Sequence, residues 1–348
     1  MVQGTPVAKS DRPSNLSDTV QRIILLPSQP HGTSGMEQPP GGPEGKPEGA
    51  GGPGWINPTV QTKIAWRDGD VVISVPMKSG TTWTMNIVHQ LREKGDRGFE
   101  EIYDEVKWIE TMRTPESTVE EMAKVIDEMP ENRPRAFKTH ASPPMLPFKE
   151  SVKYIVVLRN PEEAVVSMKS FTQKHSPDFL TFWGMPPEAF QWPDMETYYN
   201  AIVRDGKMGV DKMLFGFAAE WWKLRNKPNV LMLHYKEMVS DHEGSIKKIS
   251  DFLGYGPYTK EEWSTILEVT SFPWMKKHET RFEANNVWPI PALQKGAMMR
   301  QGSFGLARKE GLTEEMANDL AERGRKICTD PKAFDYLYNG GELPPTDE

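Results

Sequence analysis

The stretch at residues 71–91 constrains the fold of this chain more than any other, and it reads VVISVPMKSGTTWTMNIVHQL. Its first five residues predict a buried strand, and the periodic apolar run at 83–91 predicts a helix. The loop between them contains one Lys, one Gly and three hydroxyl side chains. A helix N-terminus offers unpaired backbone N–H groups and the positive end of a dipole to an anion. The stretch therefore predicts a phosphate or sulfate site, against the alternative of an ordinary turn whose Ser and Thr cap the helix.

Each side chain of this loop has a property that suits an anion. Lys78 adds a mobile positive charge, and Gly80 lets the backbone approach an oxyanion closely. Ser79, Thr81 and Thr82 offer hydroxyl donors. We therefore expect the loop to bind its ligand through both backbone and side chains.

The composition of the whole chain excludes several classes of protein. A net charge of −7 over 348 residues argues against a broad basic face for nucleic acid. The single cysteine, Cys328, excludes an internal disulfide and fits a reducing compartment. No apolar run approaches the ~20 residues of a membrane span, and the run IILL at 23–26 is too short for a signal peptide. We predict a cytoplasmic protein with no membrane span and no nucleic-acid partner.

The N-terminal segment differs from the rest of the chain. Residues 1–54 contain no aromatic residue, and twelve of the nineteen residues at 36–54 are Gly or Pro. Such a segment cannot bury enough apolar surface to offset the entropy of ordering it. We predict a disordered extension at 1–54 and one domain at 55–348.

The remaining sequence alternates predicted strands and helices. Continuous apolar runs predict further strands at 135–140, 153–159 and 230–235, and helices are predicted at 117–129, 161–171, 210–225, 240–253, 259–269 and 313–328. A capping box of Ser117 and Glu120 would open the first of these helices. The segment at 172–196 is rich in Pro and aromatic residues and is interpreted as a surface loop or lid outside the core, and 282–310 as mostly loop.

This alternation predicts an α/β fold with a central parallel sheet and helices on both faces. In such sheets the ligand lies at the carboxyl ends of the strands, which here carry Lys78, His140, Arg159 and Tyr235. The loop lacks the pattern GxxxxGK[ST], and no buried strand ends in an acidic residue that would hold Mg²⁺. These features argue against an ATP- or GTP-dependent reaction, and no metal site is predicted. They favour a donor whose charge is met by Lys and Arg alone.

Four separated segments resemble the cytosolic sulfotransferase family, which uses 3′-phosphoadenosine 5′-phosphosulfate (PAPS). They are PMKSGTTW at 76–83, KTH at 138–140, LRNPEEAVVS at 158–167 and MRQG at 299–302. HY at 234–235 and TSFPWM at 270–275 are similar to the family's adenine contacts. The resemblance runs from about residue 55 to near the C-terminus.

The resemblance implies a three-layer, P-loop-like fold and a transfer of sulfuryl from PAPS to a hydroxyl of a small, largely apolar acceptor such as a sterol or phenol. His140 is then the general base, since imidazole titrates near neutral pH. Lys78 stabilises the leaving 3′-phosphoadenosine 5′-phosphate (PAP), and Lys138 contacts the sulfuryl oxygens. The residues implied to bind the donor are Lys78, Ser79, Gly80, Thr81, Thr82, Trp83, Arg159, Ser167, Tyr235, Thr270, Phe272, Arg300 and Gly302.

The chain departs from the family pattern at its C-terminal phosphate loop. Gln301 stands where the family has Lys, and Leu306 and Ala307 stand where it has Asp and Trp, which predicts a weaker hold on the donor. The family's dimer motif is not recognisable after this loop, so monomer and homodimer both stay open. Three alternatives also stay open: N-sulfation of an amine by the same site, a P-loop kinase or NTPase, and a PAP-binding module without catalysis.

Overall fold

The computed structural model describes residues 53–205 and 209–344. The predicted disorder at 1–54 therefore concerns a segment that, apart from its last two residues, lies outside the described part of the chain. Among the described residues, no helix combines the length and the apolar character needed to cross a membrane.

Five parallel strands form one sheet. They are β1 (Val71–Ser74), β2 (Lys107–Trp108), β3 (Ala136–Thr139), β4 (Lys153–Leu158) and β5 (Val230–His234). Their order is β2-β3-β1-β4-β5, and every neighbouring pair is parallel. All residues of β1 and β3 are buried, which shows that both faces of the sheet are covered and explains the continuous apolar runs. The predicted α/β fold with a central parallel sheet is confirmed.

Helices surround this sheet. The described residues contain fourteen α-helices, with bounds Val60–Lys63, Thr81–Arg92, Ile102–Glu105, Val119–Asp127, Pro161–Thr172, Pro177–Phe182, Met195–Tyr199, Phe217–Trp222, Tyr235–Ser240, His242–Leu253, Lys260–Val269, Phe272–Lys277, Glu314–Ile327 and Pro331–Asn339. Short π-helices at Asn200–Arg204 and Lys212–Gly216 and a 3₁₀-helix at Glu279–Phe282 complete them.

The order of the strands positions the predicted site. β1 lies between β3 and β4, with Ser74 in register with Thr139 on one side and with Val156 on the other. The segments that follow these three strands therefore meet at one edge of the sheet. They contain Lys78, His140 and Arg159, as the sequence predicted.

Two predicted helix starts are wrong by one or two residues. The capping box is formed by Thr118 and Glu121, while the hydroxyl of Ser117 accepts from the backbone N–H of Thr114. Both pairs fit the capping pattern, and the start at Val119 places that side chain in the core. The helix predicted at 240–253 begins at His242, because Asp241 caps it by accepting from the N–H of Gly244.

The prediction that residues 172–196 lie outside the core is wrong. This segment contains the helix Pro177–Phe182, and Phe179, Phe190 and Trp192 are all buried. The ring of Phe179 packs against Trp288, with centroids 4.9 Å apart. The prolines of this segment suggested an irregular surface loop. One of them, Pro177, instead occupies the first position of a helix.

Candidate active site

The loop after β1 presents backbone and hydroxyl donors at the start of the helix Thr81–Arg92. Gly80, the residue before this helix, has φ 99°, a left-handed conformation that favours glycine. Lys78 also has a positive φ of 63°. A Cβ atom at position 80 would lie 2.9 Å from Cδ2 of Tyr235, so glycine also makes room for that ring. The loop thus has the conformation of an anion cradle.

Arg159 joins this loop to the strand beside it. Its side chain, at the end of β4, donates to the carbonyl of Lys78 at 2.8 Å. Its guanidinium carbon lies 4.5 Å from the centroid of Tyr235, at the end of β5. Glu163 forms an ion pair with Arg159 at 3.5 Å. Arg159 therefore lies among three segments of the site while it is 9% exposed.

Trp83 marks a second, aromatic side of the site. Its ring lies edge-on to Tyr235, with centroids 5.9 Å apart, and stacks on His242 at 5.8 Å. Its indole N–H donates to the carbonyl of Thr270 at 2.8 Å. Of these residues, only His242 had no predicted role.

The segment at 299–312 closes the far side. Gly302, with φ 61°, lies against the ring of Phe272. A Cβ atom at position 302 would lie 2.4 Å from Cδ2 of that ring. Arg300 forms an ion pair with Glu310, and the backbone N–H groups of Leu306 and Ala307 donate to Glu163 at 2.8 and 2.9 Å. Glu163 thus attaches this segment to the helix that follows Arg159.

Lys138 and His140 form a close pair at the end of β3. Nζ of Lys138 lies 2.8 Å from Nε2 of His140, and Nδ1 of His140 lies 2.7 Å from the carbonyl oxygen of Val75. A carbonyl only accepts, so Nδ1 carries the proton and Nε2 is the free base nitrogen that receives the lysine's hydrogen bond. Burial and the neighbouring Lys138 lower the pKa of His140 well below its usual value, which keeps the imidazole neutral.

Both lysines of the site have lowered pKa values. Burial, with the charges of Arg159 and Arg300, lowers the pKa of Lys78 to about 7. Burial also lowers the pKa of Lys138 to about 7, with Glu110 acting in the opposite direction and Lys78 adding to the decrease. Clustered cations without a bound anion repel each other, which is the arrangement expected where a polyanion binds.

Several side chains around the pair were not predicted to take part in the site. Nζ of Lys138 lies 3.3 Å from the centroid of the Trp108 ring, and Nζ of Lys78 lies 4.0 Å from that of Phe171. The carboxylate of Glu110, 2% exposed, accepts from the backbone N–H of His140 at 2.8 Å. Trp108 belongs to the two-residue strand β2. A strand this short has no alternating sequence pattern from which it could be predicted.

Two buried polar atoms of the site have no hydrogen-bond partner among the described residues: Oγ of Ser79 and Nε of Arg159. Such groups are costly to bury unless a ligand or water satisfies them. Both lie on the segments predicted to bind phosphate, so the residues present fit a phosphate-bearing ligand. In the described ranges, no cluster of three or more His, Cys, Asp or Glu side chains could hold a metal ion.

The structure brings most of the predicted residues together, but to different degrees. Linked by direct contacts are Lys78, Gly80, Trp83, Arg159, Tyr235 and Thr270 in one group, Lys138 and His140 in a second, and Phe272 and Gly302 in a third. Ser79, Thr81 and Thr82 lie in and after the loop itself. Ser167 is buried on the helix Pro161–Thr172, and Arg300 pairs with Glu310.

Comparison with known proteins gives consistent matches. The family model for the sulfotransferase domain matches residues 68–330. The chain is 30% identical to sulfotransferase 1A1 of Rattus norvegicus over 71% of this chain and 80% of that protein. It is 29% identical to the 3-beta-hydroxysteroid sulfotransferase of Cavia porcellus, over 63% of this chain and 70% of that protein.

Solved structures share the fold. Mouse sulfotransferase SULT7A1, solved as a complex with PAP, superposes with a TM-score of 0.59 at 20% identity, covering 80% of this chain and 90% of that one. Retinol dehydratase, solved in complex with androsterone and PAP, also gives 0.59 at 19% identity, over 77% and 82% of the two chains.

Proposed function

The chain belongs to the sulfotransferase domain family and is an enzyme that transfers sulfuryl groups, and from this premise we propose PAPS as its donor and a hydroxyl of a small, largely apolar molecule as its acceptor. Membership of this family argues against the alternative hypothesis of a P-loop kinase or NTPase. The observation that carries the proposal is the position of His140 beside the anion loop, with Nδ1 held by the carbonyl of Val75 and Nε2 facing Lys138.

The donor would lie along the contacts described above. Lys78, Ser79, Gly80, Thr81 and Thr82 would hold its 5′-phosphosulfate at the helix N-terminus. Its 3′-phosphate would meet Arg159, Ser167, Arg300 and Gly302, and its adenine would lie near Trp83, Tyr235, Thr270 and Phe272. Two solved structures with this fold are described as PAP complexes, which supports the choice of donor.

PAPS supplies the sulfuryl group: its sulfur forms a bond to the acceptor oxygen as the bond from sulfur to the 5′-phosphate oxygen breaks. His140 receives the acceptor's proton on Nε2, because Nδ1 already carries one. For this the acceptor hydroxyl must take the place of Lys138 Nζ at Nε2.

The two lysines provide charge where it develops. Lys78 neutralises the oxygen that keeps the electron pair of the broken bond, and Lys138, moved from Nε2, neutralises the sulfuryl oxygens. Their lowered pKa values mean that each is only partly protonated near neutral pH until an anion raises its pKa.

The acceptor is proposed as apolar because one aromatic ring packs on the base and a second ring packs on the first. Trp108 lies edge-on to the His140 imidazole, with centroids 5.4 Å apart, and Trp288 lies 5.8 Å from Trp108. Relatives are described with a hydroxysteroid, androsterone or retinol, which fits such a wall. A neutral imidazole would accept a proton from an amine as well, so N-sulfation stays the alternative.

A screen with isotope-labelled PAPS against sterols, phenols, flavonoids and amines, read by mass spectrometry, tests the proposal. We expect labelled sulfuryl on at least one hydroxyl acceptor and far slower transfer from a donor without the 3′-phosphate. Lys78→Met should abolish transfer, whereas Lys149→Met, an exposed lysine, should not. Tight PAP binding with no transfer to any acceptor would instead indicate a binding module, and transfer to amines alone would favour N-sulfation.

A further inference from the structure

Glu110 joins the segment after β2 to the end of β3, directly beside the proposed base. It follows β2 and its carboxylate is buried, 2% exposed. Oε1 accepts from the indole N–H of Trp108 at 3.0 Å and from the backbone N–H of His140 at 2.8 Å. Oε2 accepts from the hydroxyl of Thr139. One carboxylate therefore holds the residue before the base, the base's own backbone and the aromatic ring beside it.

These bonds reach the reacting groups through neighbours rather than directly. The Trp108 ring that Glu110 orients is the surface on which Nζ of Lys138 rests, 3.3 Å from its centroid. The same ring packs edge-on against the imidazole of His140. The backbone that follows β2 adds to the attachment, since the N–H of Ile109 donates to the carbonyl of Lys138 at 3.2 Å.

The charge of the Glu110 carboxylate also acts on Lys138. Lys138 faces four titratable groups: His140 on its own segment, Glu110 beyond β2, Lys78 on the loop after β1, and Tyr103, whose ring centroid lies 5.8 Å from Nζ. Glu110 is the one carboxylate among them. Its charge therefore favours the protonated lysine that sulfuryl oxygens require.

We propose that Glu110 is a positioning residue of the sulfuryl transfer: it fixes His140 and Trp108 through Oε1, and its negative charge favours the cationic form of Lys138. This inference rests on the proposed function. Glu110 contacts neither acceptor nor donor in this role, because its partners lie between it and the reacting atoms. Its loss therefore affects turnover and the state of the imidazole more than it affects donor binding.

The arrangement of the bonds lets one substitution separate geometry from charge. In Glu110→Gln the amide oxygen can still accept from both Trp108 and His140, since both donors use one oxygen. The amide N–H₂ can donate to the Thr139 hydroxyl, which turns to accept. Glu110→Ala removes both the bonds and the charge. Glu105→Gln is the matched control, because Glu105 precedes β2 by two residues and pairs with Arg133 instead.

Steady-state kinetics and PAP titration calorimetry on the full chain give the first readout. We expect Glu110→Ala to lower kcat by ~10²-fold, the loss expected of a misplaced catalytic group, with PAP affinity within about threefold of wild type. Glu110→Gln should recover most of this loss, while the alkaline limb of its kcat profile moves to lower pH by about half a unit or more. Glu105→Gln should match wild type in all three.

Histidine side-chain ¹⁵N NMR of the protein alone gives a readout that needs no turnover. In wild type and Glu105→Gln, the His140 ring, assigned by His140→Ala, should be neutral with its proton on Nδ1. In Glu110→Ala the ring should show mixed tautomers.

The results that overturn the proposal are specific. They are a Glu110→Ala kcat within about threefold of wild type, an equal loss of PAP affinity and kcat, an unmoved alkaline limb in Glu110→Gln, or an unchanged His140 tautomer. If Glu110→Ala fails to fold, Glu110→Gln still decides through its pH profile. A wild-type protein that transfers nothing from PAPS would refute the proposed function, and the NMR result would still test Glu110.

Discussion

At the scale of single residues, the hydrogen bond of one imidazole nitrogen of His140 determines which nitrogen can act as the base. The carbonyl of Val75 can only accept, so Nδ1 of His140 must donate and Nε2 must face the acceptor side. The sequence identified His140 through its place at a strand end. The tautomer depends on a contact with a residue 65 positions away, which no pattern in the sequence reveals.

His140→Ala should leave PAP affinity nearly unchanged and lower kcat by ~10²–10⁴-fold, the range for a lost general base. PAP does not need the imidazole, whereas proton removal does. Calorimetry and single-turnover assays measure the two quantities. His278→Ala serves as a control, because His278 stacks on Trp274 outside the proposed catalytic pair. A kcat close to that of wild type would remove His140 from its role.

PAP binding should be coupled to proton uptake above neutral pH. Lys78 and Lys138 have pKa values of about 7, against the usual 10.5, so both are mostly neutral at about pH 8 in the free protein. A bound anion raises these values and draws protons from solvent, whereas below about pH 6 both lysines are already charged. Calorimetry in buffers of different ionisation enthalpy measures the uptake.

Lys78→Met should remove much of this uptake, since only Lys138 then stays to gain a proton. Lys149→Met should leave it unchanged. If the wild-type uptake at about pH 8 equals that at about pH 6, the lysines are already charged in the free protein and the lowered values do not govern binding.

At the scale of elements, the structural unit of the donor site is strand β1, its loop and the helix Thr81–Arg92. Its local sequence was sufficient to predict it, because a buried apolar strand, a glycine and hydroxyl side chains each act within a few residues. The two-residue strand β2 and the helix Pro331–Asn339 were missed. β2 exists because β3 offers it a pairing edge, which is a tertiary effect.

The aromatic segment at 172–196 shows a different limit of the sequence. Its prolines predict irregular backbone correctly in part, but they do not tell whether that backbone is covered. Burial of Phe179 results from partners more distant in the chain, Trp55 and Trp288. Composition therefore predicted part of the irregular backbone and not its environment.

Gly80→Ala should weaken PAP binding by about tenfold or more, since φ 99° strains an alanine and its Cβ would press on Tyr235. Gly69→Ala is the matched control: φ is +82° there, but a Cβ would have no atom within 4 Å. Both variants carry the backbone cost, so both should melt earlier than wild type. Only Gly80→Ala should lose PAP affinity, and an equal loss in both would show that the loop has no special role.

At the scale of the whole molecule, the aromatic residues form a network that starts at the first described residues. Trp55 is buried and packs on Phe179 with centroids 4.9 Å apart, while Asn57 donates from its backbone to the carbonyl of Glu110 at 2.7 Å. The beginning of the predicted domain therefore braces the residue that we propose to position the base. The domain start at 55 and the cytoplasmic location stay predictions, and monomer and homodimer both stay open.

Trp55→Ala should lower the free energy of unfolding by ~3–5 kcal/mol, the usual cost of truncating a buried tryptophan. A chain that starts at Pro53 should instead have the same free energy of unfolding and the same rate of sulfuryl transfer as the full chain, because the removed segment is poor in apolar residues. Denaturant titration and turnover assays measure both. A large loss of stability in the shortened chain would refute the predicted domain start.

The carbonyl of Val75 has a consequence for how such an enzyme can diversify. Val75 stands three residues before Lys78 in one continuous stretch, so the atom that orients the base and the loop that cradles the anion form one covalent piece. A change that shifts the loop also rotates the imidazole. New acceptors are therefore more readily gained through rings outside this piece, such as Phe171, which borders Lys78, and Trp288, which packs on Trp108. Orientation of the base and binding of the donor thus depend on one short segment, while the rings around it can vary separately.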